Sequence, residues 1–154
     1  MDSIGDSICW EIIKHTSKDF DEWWDKKTFP VEYYWYLAEH FPEEFDKWWD
    51  INLFPIKDYW FLAKFCFEHF DTWWDKEKFP RKAYWLLAQC CSENFNVWWS
   101  VEQYLSRDYW ALPEYCSDKF FIWWNFDFFP TTEYWRLSRY CPEHFDIWGG
   151  DPNV

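Results

Sequence analysis

The sequence contains very little glycine. Only three of its 154 residues are glycine, and two of these are the adjacent Gly149 and Gly150. A glycine-rich phosphate-binding loop is therefore absent, as are the G-x-S-x-G and H-E-x-x-H patterns of hydrolases and zinc proteases. Because no other singular catalytic constellation stands out from the chain, the sequence predicts a protein that is not an enzyme and has no catalytic residues.

Long apolar runs are also missing. No stretch approaches the roughly 18–20 apolar residues that a bilayer-spanning helix needs. The first six residues, MDSIGD, lack the basic start and apolar core of a signal peptide. We therefore expect a soluble cytoplasmic protein with no membrane partner.

Cysteines are present, but not in metal-binding or disulfide patterns. The chain has six cysteines and no C-x-x-C. Cys66 with His69 supplies two ligands at helical spacing, whereas a structural zinc site needs four. Four cysteines recur at one fixed interval, and helices packed side by side are about 8–10 Å apart, too far for disulfides. These four are Cys66, Cys91, Cys116 and Cys141. We expect reduced, small core residues, and no metal or cofactor.

Basic residues are few. The chain has 15 Lys and Arg against 28 Asp and Glu, a net charge of −13. The imbalance is concentrated in residues 1–77, which hold 18 acids and 8 bases. An acidic surface repels nucleic-acid phosphates and favours basic partners. A second interpretation, compatible with the first, is that the charge keeps an aromatic-rich protein in solution.

Aromatic residues are abundant, and they recur at a fixed interval. They make up 29% of the chain, with 17 tryptophans. The pair Trp-Trp recurs every 25 residues, and a sixth copy is cut short as Trp148-Gly149. The pairs are Trp23-Trp24, Trp48-Trp49, Trp73-Trp74, Trp98-Trp99 and Trp123-Trp124. A fixed period of this length indicates a repeat architecture.

Each repeat contains two helical patterns. Apolar residues of segment 41–49 recur at i, i+4, i+7 and i+8, and those of segment 59–66 at i, i+3, i+4 and i+7. Both spacings place the apolar residues on one helical face. We name the two predicted helices of each repeat A and B. A proline (Pro30, Pro55, Pro80 or Pro130) stands where most B helices begin.

The fold class predicted is all-α, an α-solenoid of tandem 25-residue two-helix repeats. It has about five full repeats flanked by half repeats, roughly twelve short helices in total, in one domain over residues 1–154. Residues 1–15 form an N-terminal half repeat with a lone B helix. Residues 16–140 form the five repeats, and residues 141–154 form a C-terminal half repeat and tail.

Three columns of residues are assigned to the core, because positions that recur along a stack are where repeats meet. They are the phenylalanines (Phe20, Phe45, Phe70, Phe95, Phe120, Phe145), the B-helix tryptophans (Trp35, Trp60, Trp85, Trp110, Trp135) and the leucines (Leu37, Leu62, Leu87, Leu112, Leu137).

The doubled tryptophans are less certain to be core, because adjacent helical residues point about 100° apart. One member of each pair is therefore a candidate for an exposed row of binding aromatics. The candidates are Trp23, Trp48, Trp73, Trp98 and Trp123. The alternative is that helices this short are buried nearly all round.

Aspartates form a second candidate binding site. They recur as i, i+4 pairs on three predicted A helices: Asp21 and Asp25, Asp46 and Asp50, Asp71 and Asp75. We call these six residues the acidic ladder. It is suited to a basic protein surface; the plainer interpretation is a solvated face. Carboxylates this loosely spaced are weak evidence for Ca²⁺, which takes six to eight oxygens from a dedicated loop.

Three functional hypotheses follow. The leading one is a non-enzymatic acidic repeat protein that binds a basic protein partner, as an inhibitor or immunity-type protein or as an adaptor. The second is a receptor that binds a small ligand or glycan in an aromatic groove. The third is a structural repeat protein that self-assembles head to tail; otherwise the protein is a monomer. Nucleic acid is not an expected partner.

Overall fold

The computed structural model describes residues 19–149, and this part of the chain is all-helical, with no strand. It contains eleven α-helices of four to seven residues, in a repeating pattern with short 3₁₀ turns. Isolated helices this short are marginal in water, so tertiary packing holds them. None of these helices has the length and apolarity needed to cross a membrane. The predicted half repeat of residues 1–15 and the tail after Gly149 lie outside the described residues.

The α-helices alternate between two kinds. The A helices contain four residues each: Phe20–Trp23, Phe45–Trp48, Phe70–Trp73, Phe95–Trp98, Phe120–Trp123 and Phe145–Trp148. The B helices are Tyr34–His40, Tyr59–Phe65, Tyr84–Cys90, Ala111–Tyr115 and Tyr134–Tyr140. The 3₁₀ turns before A helices are Pro42–Glu44, Phe67–His69, Ser92–Asn94, Ser117–Lys119 and Pro142–His144. Those before B helices are Val31–Tyr33, Ile56–Asp58, Arg81–Ala83, Ser106–Asp108 and Thr131–Glu133.

The chain divides into two compact units, Met1–His69 and Phe70–Val154. In the first unit, the B helices Tyr34–His40 and Tyr59–Phe65 pack against each other. In the second unit, Ala111–Tyr115 packs against both Tyr84–Cys90 and Tyr134–Tyr140. Within each unit the B helices are therefore direct neighbours.

Each A helix ends at the first tryptophan of its pair, one residue earlier than the apolar spacing predicts. Trp49 has extended backbone angles (φ −63°, ψ 131°), and Trp99 repeats them (φ −62°, ψ 131°). The second tryptophan is therefore not on the helical face that the pattern predicts.

The two rings of a pair pack on the same phenylalanine with different geometries. The Trp48 ring meets Phe45 edge-on at 5.1 Å, and the Trp49 ring stacks on it at 5.3 Å with a 13° angle. The same arrangement recurs around Phe70, Phe95 and Phe120. Aromatic pairs of this kind contribute about 0.5–1.5 kcal/mol beyond their buried area.

The indole N–H of the first tryptophan is hydrogen-bonded to the backbone. Trp98 Nε1 donates to the Cys91 carbonyl at 2.7 Å, and that carbonyl also accepts the Asn94 N–H at 3.0 Å. The equivalent bonds run from Trp48, Trp123 and Trp148 to the residue seven positions earlier. The first tryptophan thus ties each of these A helices to the end of the preceding B helix.

Prolines set the entry to the B helices, but as the residue before the 3₁₀ turn rather than as its first residue. Pro55 is extended (φ −65°, ψ 137°), and Leu105 takes the same conformation without a ring (φ −73°, ψ 136°). Pro113 lies inside a B helix and has no N–H to donate. The Tyr109 carbonyl accepts the Leu112 N–H instead, and this B helix begins only at Ala111.

The four cysteines that share a repeat position are buried and free. Their prediction as small core residues is confirmed. The thiols of Cys66, Cys116 and Cys141 donate to the backbone carbonyl 28 residues earlier, at 3.7–3.9 Å. A larger residue at this position would lose the contact with the carbonyl and would push the two backbone segments apart.

We expect these buried thiols to be unreactive in the folded protein. Burial raises the pKa of Cys66, Cys91, Cys116 and Cys141 to about 12. At pH 8 very little of each cysteine is therefore thiolate, and the thiolate is the form that reacts as a nucleophile. Titration with Ellman's reagent should show these four reacting slowly before urea is added and fully afterwards. Rapid reaction of Cys91 or Cys116 in native buffer would contradict this burial.

Candidate functional site

The tryptophans proposed as an exposed row are mostly buried. Trp48, Trp73, Trp98 and Trp123 are at most 1% exposed, and Trp23 is half-buried. Of the two alternatives drawn from the sequence, exposure is therefore wrong for these four. The reason is geometric, because the first tryptophan lies inside the last turn of the A helix, with its ring edge-on to the phenylalanine.

In the four pairs from Trp48-Trp49 to Trp123-Trp124, the second member is the more accessible one. Trp24, Trp49, Trp74, Trp99 and Trp124 are all half-buried. The extended backbone at this residue carries the ring out of the helix and lays it over the phenylalanine. One face of each ring is thus covered.

The B-helix tryptophans were predicted to be core, and this is wrong. Trp35, Trp60, Trp85 and Trp110 are half-buried, and Trp135 is 51% exposed. The tyrosine before each of the first four takes the inward position, and Tyr34, Tyr59, Tyr84 and Tyr109 are at most 1% exposed. Burial raises the pKa of Tyr109 to about 12.

Neighbouring side chains contact the rings of these B-helix tryptophans. In the first unit Trp35 lies 5.3 Å from Phe61. In the second unit Trp85 lies 6.0 Å from Trp110, and the Arg136 guanidinium lies 5.2 Å from Trp110 and 4.3 Å from Trp135. Glu133 holds this guanidinium by a 2.7 Å ion pair. In the second unit, two of these tryptophans therefore contact each other, and one arginine contacts Trp110 and Trp135.

The acidic ladder separates into two kinds of residue. Asp25, Asp50 and Asp75 lie beyond the ends of the A helices, so the predicted i, i+4 helical pairs are wrong. Each of these three carboxylates accepts the backbone N–H two residues later, at 2.8–2.9 Å. Ser100 and Asn125 make similar bonds without a charge. This column therefore stabilises the turn between the A and B helices.

The other three aspartates, Asp21, Asp46 and Asp71, are exposed on A helices. In the first unit Lys47 pairs with both Asp21 and Glu44 at 2.9 Å. The Glu44 and Asp21 carboxylates raise the pKa of Lys47 to about 12. Asp21 is therefore partly neutralised by its own chain.

Asp50 is paired as well. Lys26 forms an ion pair with it and lowers its pKa, together with the Asn52 N–H. A folded-state pKa below the unfolded value contributes stability at neutral pH that is lost as the pH falls through the folded pKa. This pairing also leaves Asp50 less free for a partner.

Exposed apolar residues occupy positions that the sequence analysis did not single out. Directly before the first tryptophan, the first three A helices have Glu22, Lys47 and Thr72, whereas the last three have Val97, Ile122 and Ile147, which are 58%, 53% and 39% exposed. Phe121, 73% exposed, stands where other repeats have Asp46 or Asp71. Comparing each column repeat by repeat would have revealed this change.

The first unit also contains an open cavity of about 450 Å³. It is lined by Pro42, Glu43, Phe65, Cys66, Phe67, Glu68 and His69. The Cys66 thiol in its wall stays protonated, because burial and the nearby Glu43 carboxylate raise its pKa to about 12. His69 stacks on Phe45 at 4.3 Å. Within residues 19–149, no group of three or more His, Cys, Asp or Glu side chains is placed to hold a metal ion.

Comparisons with protein-family models, with curated proteins and with solved structures found no match to this chain.

Proposed function

We propose that this protein is an α-solenoid of 25-residue two-helix repeats, one domain over residues 1–154, and that it binds a basic partner protein in the cytoplasm. Its role is that of an inhibitor or immunity-type protein, or of an adaptor, and it is not an enzyme. Regular hydrogen bonds from successive tryptophans and cysteines support the repeat architecture.

The observation that carries the binding proposal is the placement of Asp46 and Asp71. Both are exposed at the same position of their A helices, in a chain of net charge −13. Their position holds them at the surface, unlike Asp50 and Asp75, whose carboxylates are used by turns. Exposed charges of one sign steer a partner of opposite charge and favour its encounter.

We expect Asp46→Lys combined with Asp71→Lys to weaken partner binding by about tenfold or more at low salt, because two attractive contacts become repulsive. The measurement is quantitative affinity capture from a native lysate, read by mass spectrometry. The loss should shrink at about 1 M salt, where charges are screened within about 3 Å.

The matched control is Glu77→Lys combined with Glu102→Lys. These two exposed acids lie in turns between A and B helices and give the same change in net charge. Its retention of the basic protein should stay close to that of the wild type. Equal losses of partner binding in both variants would mean that net charge, and not the position of Asp46 and Asp71, determines the affinity. Capture of no basic protein by the wild type would contradict the proposed function.

A further inference from the structure

Three A helices of the second unit, Phe95–Trp98, Phe120–Trp123 and Phe145–Trp148, carry exposed apolar residues at outward positions. Val97, Phe121, Ile122 and Ile147 are between 39% and 73% exposed, and we call these four residues the apolar outward face. Exposed apolar residues scattered singly are normal in proteins, but contiguous ones mark interaction sites. The question is whether these four are required by the fold and whether they lie together.

The fold does not require apolar residues at these positions. The A helix Phe45–Trp48 has Asp46 where Phe121 stands and Lys47 where Ile122 stands, and Phe70–Trp73 has Thr72 where Val97 stands. These two helices and the helices Phe95–Trp98 and Phe120–Trp123 all have four residues and the same phenylalanine–tryptophan contact. A polar residue is therefore compatible with this backbone at each site, and burial in the core does not explain the apolar ones.

The contacts of His144 bring together two of the three A segments, the one carrying Phe121 and Ile122 and the one carrying Ile147. Its ring stacks on Phe120 at 4.3 Å and meets Phe121 edge-on at 4.7 Å. His144 ends the 3₁₀ turn that leads directly into the A helix Phe145–Trp148. Phe121 and Ile122 thus lie on a segment that touches the segment carrying Ile147.

The charge around this face is negative. The three A segments of residues 92–98, 117–123 and 142–148 carry four exposed acids, Glu93, Asp118, Glu143 and Asp146. Their only lysine or arginine is the half-buried Lys119. Protein interfaces typically have an apolar centre and a polar rim. The complementary surface has apolar side chains surrounded by Lys or Arg.

We infer that the apolar outward face is the docking site for a basic protein segment that presents apolar side chains. This inference rests on the proposed function and adds a second contact surface to the exposed Asp46 and Asp71. The apolar residues anchor the partner, while the flanking carboxylates select its charge. A basic amphipathic helix has both properties on one element.

The test uses a fluorescein-labelled amphipathic peptide of leucine and lysine, about 18 residues long, and a scrambled peptide of the same composition. The full-length protein should bind the amphipathic peptide at least about tenfold more tightly than the scrambled one, by fluorescence anisotropy, because only the first groups its leucines on one face. The variant Val97→Thr, Phe121→Asp, Ile122→Lys should lose this preference. Its three new residues are those that the chain itself uses at equivalent positions, so its melting temperature should stay near that of the wild type.

The single variant Ile122→Lys serves if the triple variant is unfolded, and it should reduce the preference at least several-fold. Unchanged preference in a folded variant would overturn the inference. Equal, salt-sensitive binding of both peptides by the wild type would also overturn the inference. That result would leave the proposed basic partner in place, because lysate capture with Asp46→Lys and Asp71→Lys tests the partner separately. Light scattering that shows a wild-type dimer and a monomeric Ile122→Lys variant would assign the face to a second copy and overturn it as well.

Discussion

Trp98→Ala should lower the free energy of unfolding by about 3–5 kcal/mol, the range measured for large aromatic truncations in protein cores. Trp98 is 1% exposed. Its ring lies 5.1 Å from Phe95, 6.3 Å from Trp99 and 6.2 Å from Tyr104. Alanine removes all three ring contacts and leaves a cavity that these rigid neighbours cannot fill.

Two further variants separate the sources of this loss. Trp98→Phe keeps a ring but removes the indole N–H, and the Cys91 carbonyl retains the Asn94 N–H as a donor. Its cost should therefore be smaller, about 1–2 kcal/mol for one hydrogen bond and a small change in volume. Trp99→Ala removes a half-buried ring and should cost clearly less than Trp98→Ala.

Urea denaturation followed by circular dichroism measures all three variants, with tryptophan fluorescence as a second probe. The slope of the free energy of unfolding against urea concentration should stay close to that of the wild type, which indicates a change in stability rather than in the denatured state. A larger loss for Trp99→Ala than for Trp98→Ala would contradict the inward and outward assignment of the pair.

The helical class could be predicted because apolar spacing and the 25-residue interval both indicate short helices. The end of the A helix could not be read from that spacing, since a residue at i+8 fits the same helical face whether or not the helix continues to it. Trp49 fits the pattern and yet is extended. A different signal marked the boundary, namely the Asp, Ser or Asn that follows each pair. Such side chains bond to nearby backbone N–H groups and favour turns.

The orientation of the B-helix pair was also beyond the sequence. Side-chain polarity favours burial of the tryptophan rather than the tyrosine, because burying the tyrosine also buries its hydroxyl group. The structure has the reverse, with Tyr109 at 0% exposure and Trp110 half-buried. Adjacent residues share one helical pattern, so only the packing of successive B helices decides which of them points inward.

Part of the acidic ladder has the location that the sequence predicts. Asp21, Asp46 and Asp71 lie on A helices and are exposed, and their role in binding stays a prediction. The other half of the acidic ladder has a local use in turns, which i, i+4 spacing cannot distinguish from a binding surface. The apolar outward face was visible in the sequence as a change from Lys47 to Ile122 along one column. The sequence alone did not show that the residues at this position are exposed, so the change from Lys47 to Ile122 could not be interpreted as a change of the surface.

Indole hydrogen exchange tests most directly the claim that the first tryptophan is buried and the second is half-buried in the four pairs from Trp48-Trp49 to Trp123-Trp124. A ¹⁵N-labelled sample is transferred into D₂O, and the indole N–H signals are followed by NMR, assigned through single Trp→Phe variants. The signals of Trp48, Trp98 and Trp123, whose N–H groups are bonded to carbonyls, should decay at least about a hundredfold more slowly than those of Trp49, Trp99 and Trp124. Equal rates for the two members of each pair, or slower exchange at the second, would contradict the account.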